Sequence, residues 1–497
     1  MENNSPWIDL DEREKEAVTL AHILAALGWD QETYMPESAV QGRSEQMSLL
    51  ETLLHKIFTR PDLEALLKAC GDKVQTDRER ARLRVWNRLR ARKILLPAEL
   101  VEKKAALVVQ SQAVWAKARQ TNDFLSFLPY LRQLVDIAKE TAQRIGFSDH
   151  PYTALLDEYE PGMTTLEVEK IFYQLKPGLQ DILSKIHSRP RPDTSVLEKT
   201  FPVSSQEKYG REVLSAMGYD WKRGRLDVTT HPFCTTLGFD DVRLTTRYDE
   251  KFFNSAVYGM IHEMGHGLYE QGFSQELKHT LLSDGTSLGI HESQSRFWEN
   301  MVARSPQWIQ WTWPKLLEIF PNALSNQTPD VFVRALNTVE PTMIRVEADE
   351  VTYSLHIILR FEMEKALVDG TLDPKDVPEV WNAKTQELLG LSPANDSEGC
   401  LQDIHWSMGG IGYFPTYALG NLYAAQWRSA IKRVMPFEAH ILKGEFQPIL
   451  DWLRKNIHQW GRSFTAGELV KNITGENLNP QYFINYLQEK YGTLYGF

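Results

Sequence analysis

A mainly α fold with one small β element is predicted by three features of the 497-residue sequence. Apolar residues recur at helical spacing through most of the chain. One patch, residues 225–249, is rich instead in β-branched and aromatic residues. Between the two textures lies "HSRPRPDTSVLEKTFPVSS", residues 187–205, with three prolines and little periodicity, which reads as a linker.

The first ~190 residues read as helix after helix. In "TTLEVEKIFYQLKPGLQDILSKIH", Thr164 and Glu167 make a capping box. Val168, Ile171, Phe172, Leu175, Leu179, Ile182, Leu183 and Ile186 then follow at helical spacing, and Pro177 is expected to kink or divide the helix. Pro97 stands where another helix begins, ahead of Ala98, Val101, Ala105 and Val108. After the linker, "RLDVTTHPFCTTLGFDDVRLTTRYD" reads as two short antiparallel strands about the "GFDD" turn, the second being "VRLTTRY". Helical pattern returns and runs to the C-terminus. The expected organisation is one domain over 1–497, with a helical part at about 1–190, a linker at about 187–205 and a second part at about 206–497.

The formal net charge of −11 argues against nucleic acid or an anionic membrane as partner. The start, "MENNSPWIDLDEREKEAV", has neither the basic nor the apolar region of a secretory signal. No apolar run approaches the length of a membrane span. Cys70, Cys234 and Cys400 are few, odd in number and far apart, as reduced buried thiols are. A cytoplasmic protein is expected.

The chemistry is concentrated in "VYGMIHEMGHGLYEQG", residues 257–272. Four residues exceed one helical turn slightly, so His262 and His266 project from one face about 6 Å apart along the axis. Two neutral imidazoles so placed can bind one zinc ion. Glu263 lies about 100° round the helix from His262, too far to be a third ligand but suited to hold a water and take its proton. This is the H-E-x-x-H pattern of metallohydrolases. Such a pattern also arises by chance, and a catalytic zinc needs a third protein ligand. "GIHESQSRFWEN" offers Glu292, 26 residues after His266, on a second helical stretch with Arg296 and Glu299 near the same face. His291 and Glu299 are alternative ligands. On spacing alone, Glu292 could equally be a solvated surface residue.

These residues resemble the carboxypeptidase Taq family of zinc-dependent metallocarboxypeptidases. The resemblance extends to "LGWDQETYMP" at 27–36, "LLDEYEPGMT" at 155–164, "HPF" at 231–233 and "DVRLTTRY" at 241–248. It continues through "IRVEADEVTY" at 344–353 and "GCLQDIHWSMGGIGYFPTYALGN" at 399–421. One departure is Gly267, where alanine is common after the second histidine. The resemblance implies a zincin-like helical body with a deep substrate groove, and one divalent metal per chain, zinc or cobalt. It implies His262, His266 and Glu292 as ligands, with Glu263 as general base. It also implies a cytoplasmic homodimer that releases single residues from peptide C-termini with broad specificity.

Peptide hydrolysis further needs a donor to the developing oxyanion. His405, with Tyr413 or Tyr417, suits that role, on a chain made pliable by glycines 409, 410 and 412. A free substrate carboxylate calls for an arginine. Arg345 is the first choice, with Arg243 and Arg247 as alternatives; the structural reading of Arg345 is an ion pair with Glu347, Asp349 or Glu350. The edge of "VRLTTRY" offers a place for an extended peptide to pair. His231 is suited to positioning substrate or to capping the β element. "WDQETYMP" offers packing residues, Trp29 and Met35, and no evident chemistry. Two other functions are open on the residues: an endopeptidase in the same groove, and a helical binding scaffold with an accidental histidine motif.

Overall fold

The computed structural model describes residues 5–497; the first four residues of the N-terminal stretch lie outside them. Four helices, Pro6–Thr33, Val40–Thr59, Leu63–Gly71 and Asp77–Leu95, open the chain and share a core of Leu10, Ile57, Phe58, Leu67 and Trp86. Inside this layer Arg82 grips the fully buried Glu14, a pairing that satisfies a charge burial would otherwise disfavour. From Ala118 to Leu494 the remaining helices close over one continuous apolar core, which does not divide at the proline-rich stretch. That stretch holds only a short 3₁₀ turn, Ser195–Glu198, before the helix Val203–Ala216.

The local signals act as expected at several ends. The capping box of Thr164 and Glu167 is formed, and Pro97 precedes the helix Ala98–Thr121. Pro177 does not divide its helix, which runs unbroken from Thr165 to His187. The carbonyl that a proline leaves without a donor is four residues earlier, and Tyr173 there is 82% exposed, so water can take the place of the lost N–H.

The β element has three strands rather than two: β1 (Leu226–Val228), β2 (Cys234–Gly238) and β3 (Asp241–Thr246). β2 and β3 are antiparallel, with an irregularity between Thr236 and Gly238, while β1 pairs parallel to β3. The order β1-β3-β2 makes "VRLTTRY" the central strand, so its edges are occupied and β2 is an edge strand beside the histidine helix. The three-residue β1 is too short to show alternation, which is why periodicity missed it. The "WDQETYMP" block fastens the first helix to this sheet. The guanidinium groups of Arg243 and Arg225 stand 4.3 and 5.2 Å from the Trp29 ring, and Tyr34 donates to Asp227 at 2.6 Å. Among the described residues no helix is long and apolar enough to cross a membrane.

Candidate active site and metal centre

The helix Phe253–Glu270 is apolar nearly all round, with Ala256, Val257, Met260, Ile261, Met264 and Leu268 all buried. Such a helix belongs in the middle of a protein. Its few polar side chains are therefore held in an apolar setting. His262 and His266 face the same way, their rings 5.0 Å apart. A second helix, Leu288–Arg296, crosses beside it after Ser287 caps its first turn through the Ile290 N–H. Glu292 Oε2 lies 3.6 Å from His262 Nε2 and 3.5 Å from His266 Nε2. One atom from each of the three side chains falls within 4.8 Å of the others. A tetrahedral site with bonds of about 2.1 Å has edges of about 3.4 Å, so these residues fit a divalent ion and leave a fourth position open. A third helix, Pro415–Lys432, packs directly on Glu292: a Cβ at Gly420 would lie 2.6 Å from Glu292 Cγ.

The side chains behind the three are specific. Glu299 accepts from His262 Nδ1 at 2.9 Å. His266 Nδ1 meets His291 Nδ1 at 2.6 Å, and His291 Nε2 meets Glu270 Oε1 at 2.8 Å, with Thr236 donating to the other oxygen of Glu270. Were an ion held by the two Nε2 atoms, each Nδ1 would carry the proton and these neighbours would fix the rings. His291 and Glu299 therefore lie behind the two histidines, at the Nδ1 atoms turned away from Glu292. Arg296 donates to Glu292 Oε1 at 2.7 Å and pairs with Glu299. Glu270 escapes a reading of the sequence although it continues the four-residue step of His262 and His266.

Electrostatics separates the roles of the carboxylates. Burial opposes the charge on Glu292, but Arg296 and His262 outweigh it and hold the pKa well below the usual range, so a ligand-ready carboxylate is present at neutral pH. Burial and the neighbouring His291 push His266 down to about 3, keeping it in the neutral form that binds metals. Glu263 is only 8% exposed. Burial pushes its pKa up to about 7, with His262 opposing and Glu292 assisting. A carboxyl poised near neutrality can both take and return a proton.

The block at 399–421 is brought to the same place. His405 Nε2 lies 3.4 Å from the Tyr417 hydroxyl, and the rings of His405 and Tyr413 are 5.3 Å apart. Burial raises the pKa of Tyr413 and of Tyr417, and the charge of Glu292 adds to both. Arg345 is 5% exposed and does not pair with Glu347, Asp349 or Glu350; Asp403 takes its Nε and Nη2, and Tyr353 its Nη1. The Tyr353 ring also stands 4.7 Å from the guanidinium of Arg296, linking Arg345 to the ligand cluster. Asp403 and Tyr353 belong to the 399–421 and 344–353 blocks, but no spacing rule singles them out. Arg243 is committed to Asp241 and Trp29, Arg247 is exposed, and His231 is exposed in the turn between β1 and β2. Two adjoining cavities of about 310 and 300 Å³ share Asp284, His291 and Arg462 and run between the N-terminal helices and the body; Cys234 and Thr236 of β2 line the second.

Three side chains that each bring one atom to a common point, with a buried carboxyl beside them, are the arrangement a metallohydrolase needs. Residues 9–491 match the family described as carboxypeptidase Taq (M32) metallopeptidase. The chain is 43% identical to thermostable carboxypeptidase 1 of Thermus thermophilus, over the full length of both, and 41% identical to carboxypeptidase 1 of Bacillus subtilis, over 97% of this chain and 95% of that one. The M32 carboxypeptidase of Deinococcus radiodurans superposes with a TM-score of 0.97 at 37% identity, covering 99% of this chain and 100% of the other. The metallocarboxypeptidase 1 of Trypanosoma cruzi gives 0.93 at 37%, covering 98% and 99%. This chain belongs to the carboxypeptidase Taq (M32) metallopeptidase family. It is a metal-dependent peptide hydrolase of the carboxypeptidase type.

Proposed function

We propose that the chain releases single residues from the C-termini of peptides with broad specificity, using one zinc ion held by His262, His266 and Glu292, with cobalt an alternative. The cluster of those three side chains around one point, with Glu263 buried beside it, carries this reading. The ion, when bound, supplies Lewis acidity to the scissile carbonyl and to a water. Glu263 takes the proton of the attacking water and delivers it to the departing amine nitrogen. His405 with Tyr413 or Tyr417 donates to the oxygen that gains charge as the carbonyl carbon becomes tetrahedral. Burial pushes His405 down to about 4, so it is a neutral donor at working pH.

Arg345 is the preferred partner of the substrate carboxylate, because Tyr353 and Tyr417 connect it to the cluster. Arg243 and Arg247 stay alternatives, and His231 a peripheral positioning group. An extended substrate would pair with the edge strand β2, which lines the second cavity beside His291, and not with the enclosed β3. The reading includes a single domain, a cytoplasmic location and a homodimer. Amidating the C-terminus of a good peptide substrate tests it. Activity on the free acid is expected to vanish on the amide, whereas equal cleavage of both would establish an endopeptidase.

A further inference from the structure

The residues flanking His405 and Tyr413 converge on one carboxylate. Glu364, on the helix Tyr353–Asp369, has no exposed surface. Its Oε1 accepts from Trp406 Nε1 at 3.0 Å. Its Oε2 accepts from the Gly412 N–H at 3.0 Å and the Tyr152 hydroxyl at 2.7 Å. Trp406 follows His405 and Gly412 precedes Tyr413, so the carboxylate holds the loop one residue inside each end. Gly412 has φ +99°, and a Cβ there would lie 2.7 Å from the Leu155 carbonyl carbon, so the chain passes close to the "LLDEYEPGMT" block. Arg360, one turn earlier on the Glu364 helix, gives its guanidinium to Asp403 and Gln402 and not to Glu364.

We propose that Glu364 is a positioning residue for the reaction: by gripping Trp406 and Gly412 it sets His405 and Tyr413 at a fixed place beside Tyr417. This rests on the reading of His405 and the tyrosines as oxyanion donors. Three donors converge on two oxygens, which only a carboxylate can satisfy fully. A glutamine in its place keeps one oxygen, and its NH₂ must face either the indole N–H or the N–H and O–H pair, releasing one end of the loop. Burial raises the Glu364 pKa to about 7, against the hydrogen bonds from Tyr152, Gly412 and Trp406. Its geometric hold on the loop is the use that offsets burying it.

The test is steady-state kinetics on Glu364→Gln, Tyr413→Phe, Tyr417→Phe and His405→Ala, and on Glu364→Gln combined with whichever donor variant loses most. Glu364→Gln is expected to lower kcat on the order of ten- to a hundredfold, with KM and metal affinity changed less than about twofold. In the double variant most of that loss should disappear, because the donor it positions is already gone. A residue that only stabilises the fold would give full additivity, and an additive double variant or an unchanged kcat overturns the proposal. If all three donor variants keep wild-type kcat, the donor reading itself fails, and the proposal with it. Should Glu364→Gln not fold, Trp406→Phe removes one of the three hydrogen bonds; an unchanged kcat there overturns the proposal, and a loss absent from the matching double variant supports it.

Discussion

Glu299 Oε2 lies 2.9 Å from His262 Nδ1, the ring nitrogen turned away from Glu292. The carboxylate is held ionised, with a pKa of about 2, because His262, Arg296 and Arg304 outweigh burial. With the proton on Nδ1 it would leave Nε2 free for an ion and raise the basicity of the ring. Glu299→Ala is expected to weaken zinc binding about 10- to 100-fold, measured by competition with a chromophoric chelator. Unaltered affinity with intact helix content would show that the contact is only structural.

Glu263→Gln separates binding from chemistry. The amide keeps the size of the side chain and leaves the three proposed ligands in place, so stoichiometric metal should remain. Turnover should fall by on the order of 10²–10⁴ or more. Metal analysis and single-turnover kinetics on one preparation check this, and near-normal kcat would assign the base elsewhere.

Glu292→Ala is expected to behave in the opposite way. It removes one of the three proposed ligands and the nearer of the two carboxylates that pair with Arg296, leaving Glu299 as its partner. Metal content after dialysis should collapse, and full retention would mean that Glu299 or His291 can complete the site.

Glu160 gives a pH signature. This fully buried carboxyl accepts from Ser287 Oγ, the Gly289 N–H and the Tyr423 hydroxyl, anchoring the start of the Glu292 helix. Burial raises its pKa to about 7, against those hydrogen bonds. An acid whose folded pKa exceeds its unfolded value of about 4.3 binds its proton more tightly in the folded state. Its stabilising contribution is complete below about 4.3 and is lost as pH rises through about 7. Between about pH 5 and pH 8 the wild-type melting temperature should therefore fall, relative to Glu160→Gln, by a few degrees. Parallel melting curves across that range would contradict the shifted titration.

Arg345 is checked by substrate choice. Arg345→Met should raise KM for free-acid peptides at least about tenfold, while Arg247→Met, at an exposed site, should change it little. The reverse ranking would move the carboxylate partner to Arg247, just after β3.

Much of this site is legible in the sequence because its central part is local. The step from His262 to His266 follows from helix geometry alone, and Glu263 inherits its place from the same turn. Glu292 requires two helices to cross, which spacing permits but cannot fix; the family resemblance, not periodicity, selects it over Glu299 and His291. The third strand is hidden because Leu226–Val228 is too short to alternate. The partner of Arg345 is misplaced for a similar reason. A sequence-local pairing with Glu347, Asp349 or Glu350 is the available guess, but the 3₁₀ turn Arg345–Glu347 points the guanidinium at Asp403, 58 residues away. Trp29 shows no chemistry in the sequence because its two arginines, 225 and 243, come from the other side of the linker.

Reaction class and metal dependence are decided together by time-resolved mass spectrometry of an unblocked peptide, incubated with the enzyme with and without a metal chelator. The site built from His262, His266, Glu292 and Glu263 predicts a ladder of products, each shorter by one C-terminal residue, that disappears with chelator and returns when zinc or cobalt is restored. Internal fragments, or a ladder indifferent to the chelator, would contradict it.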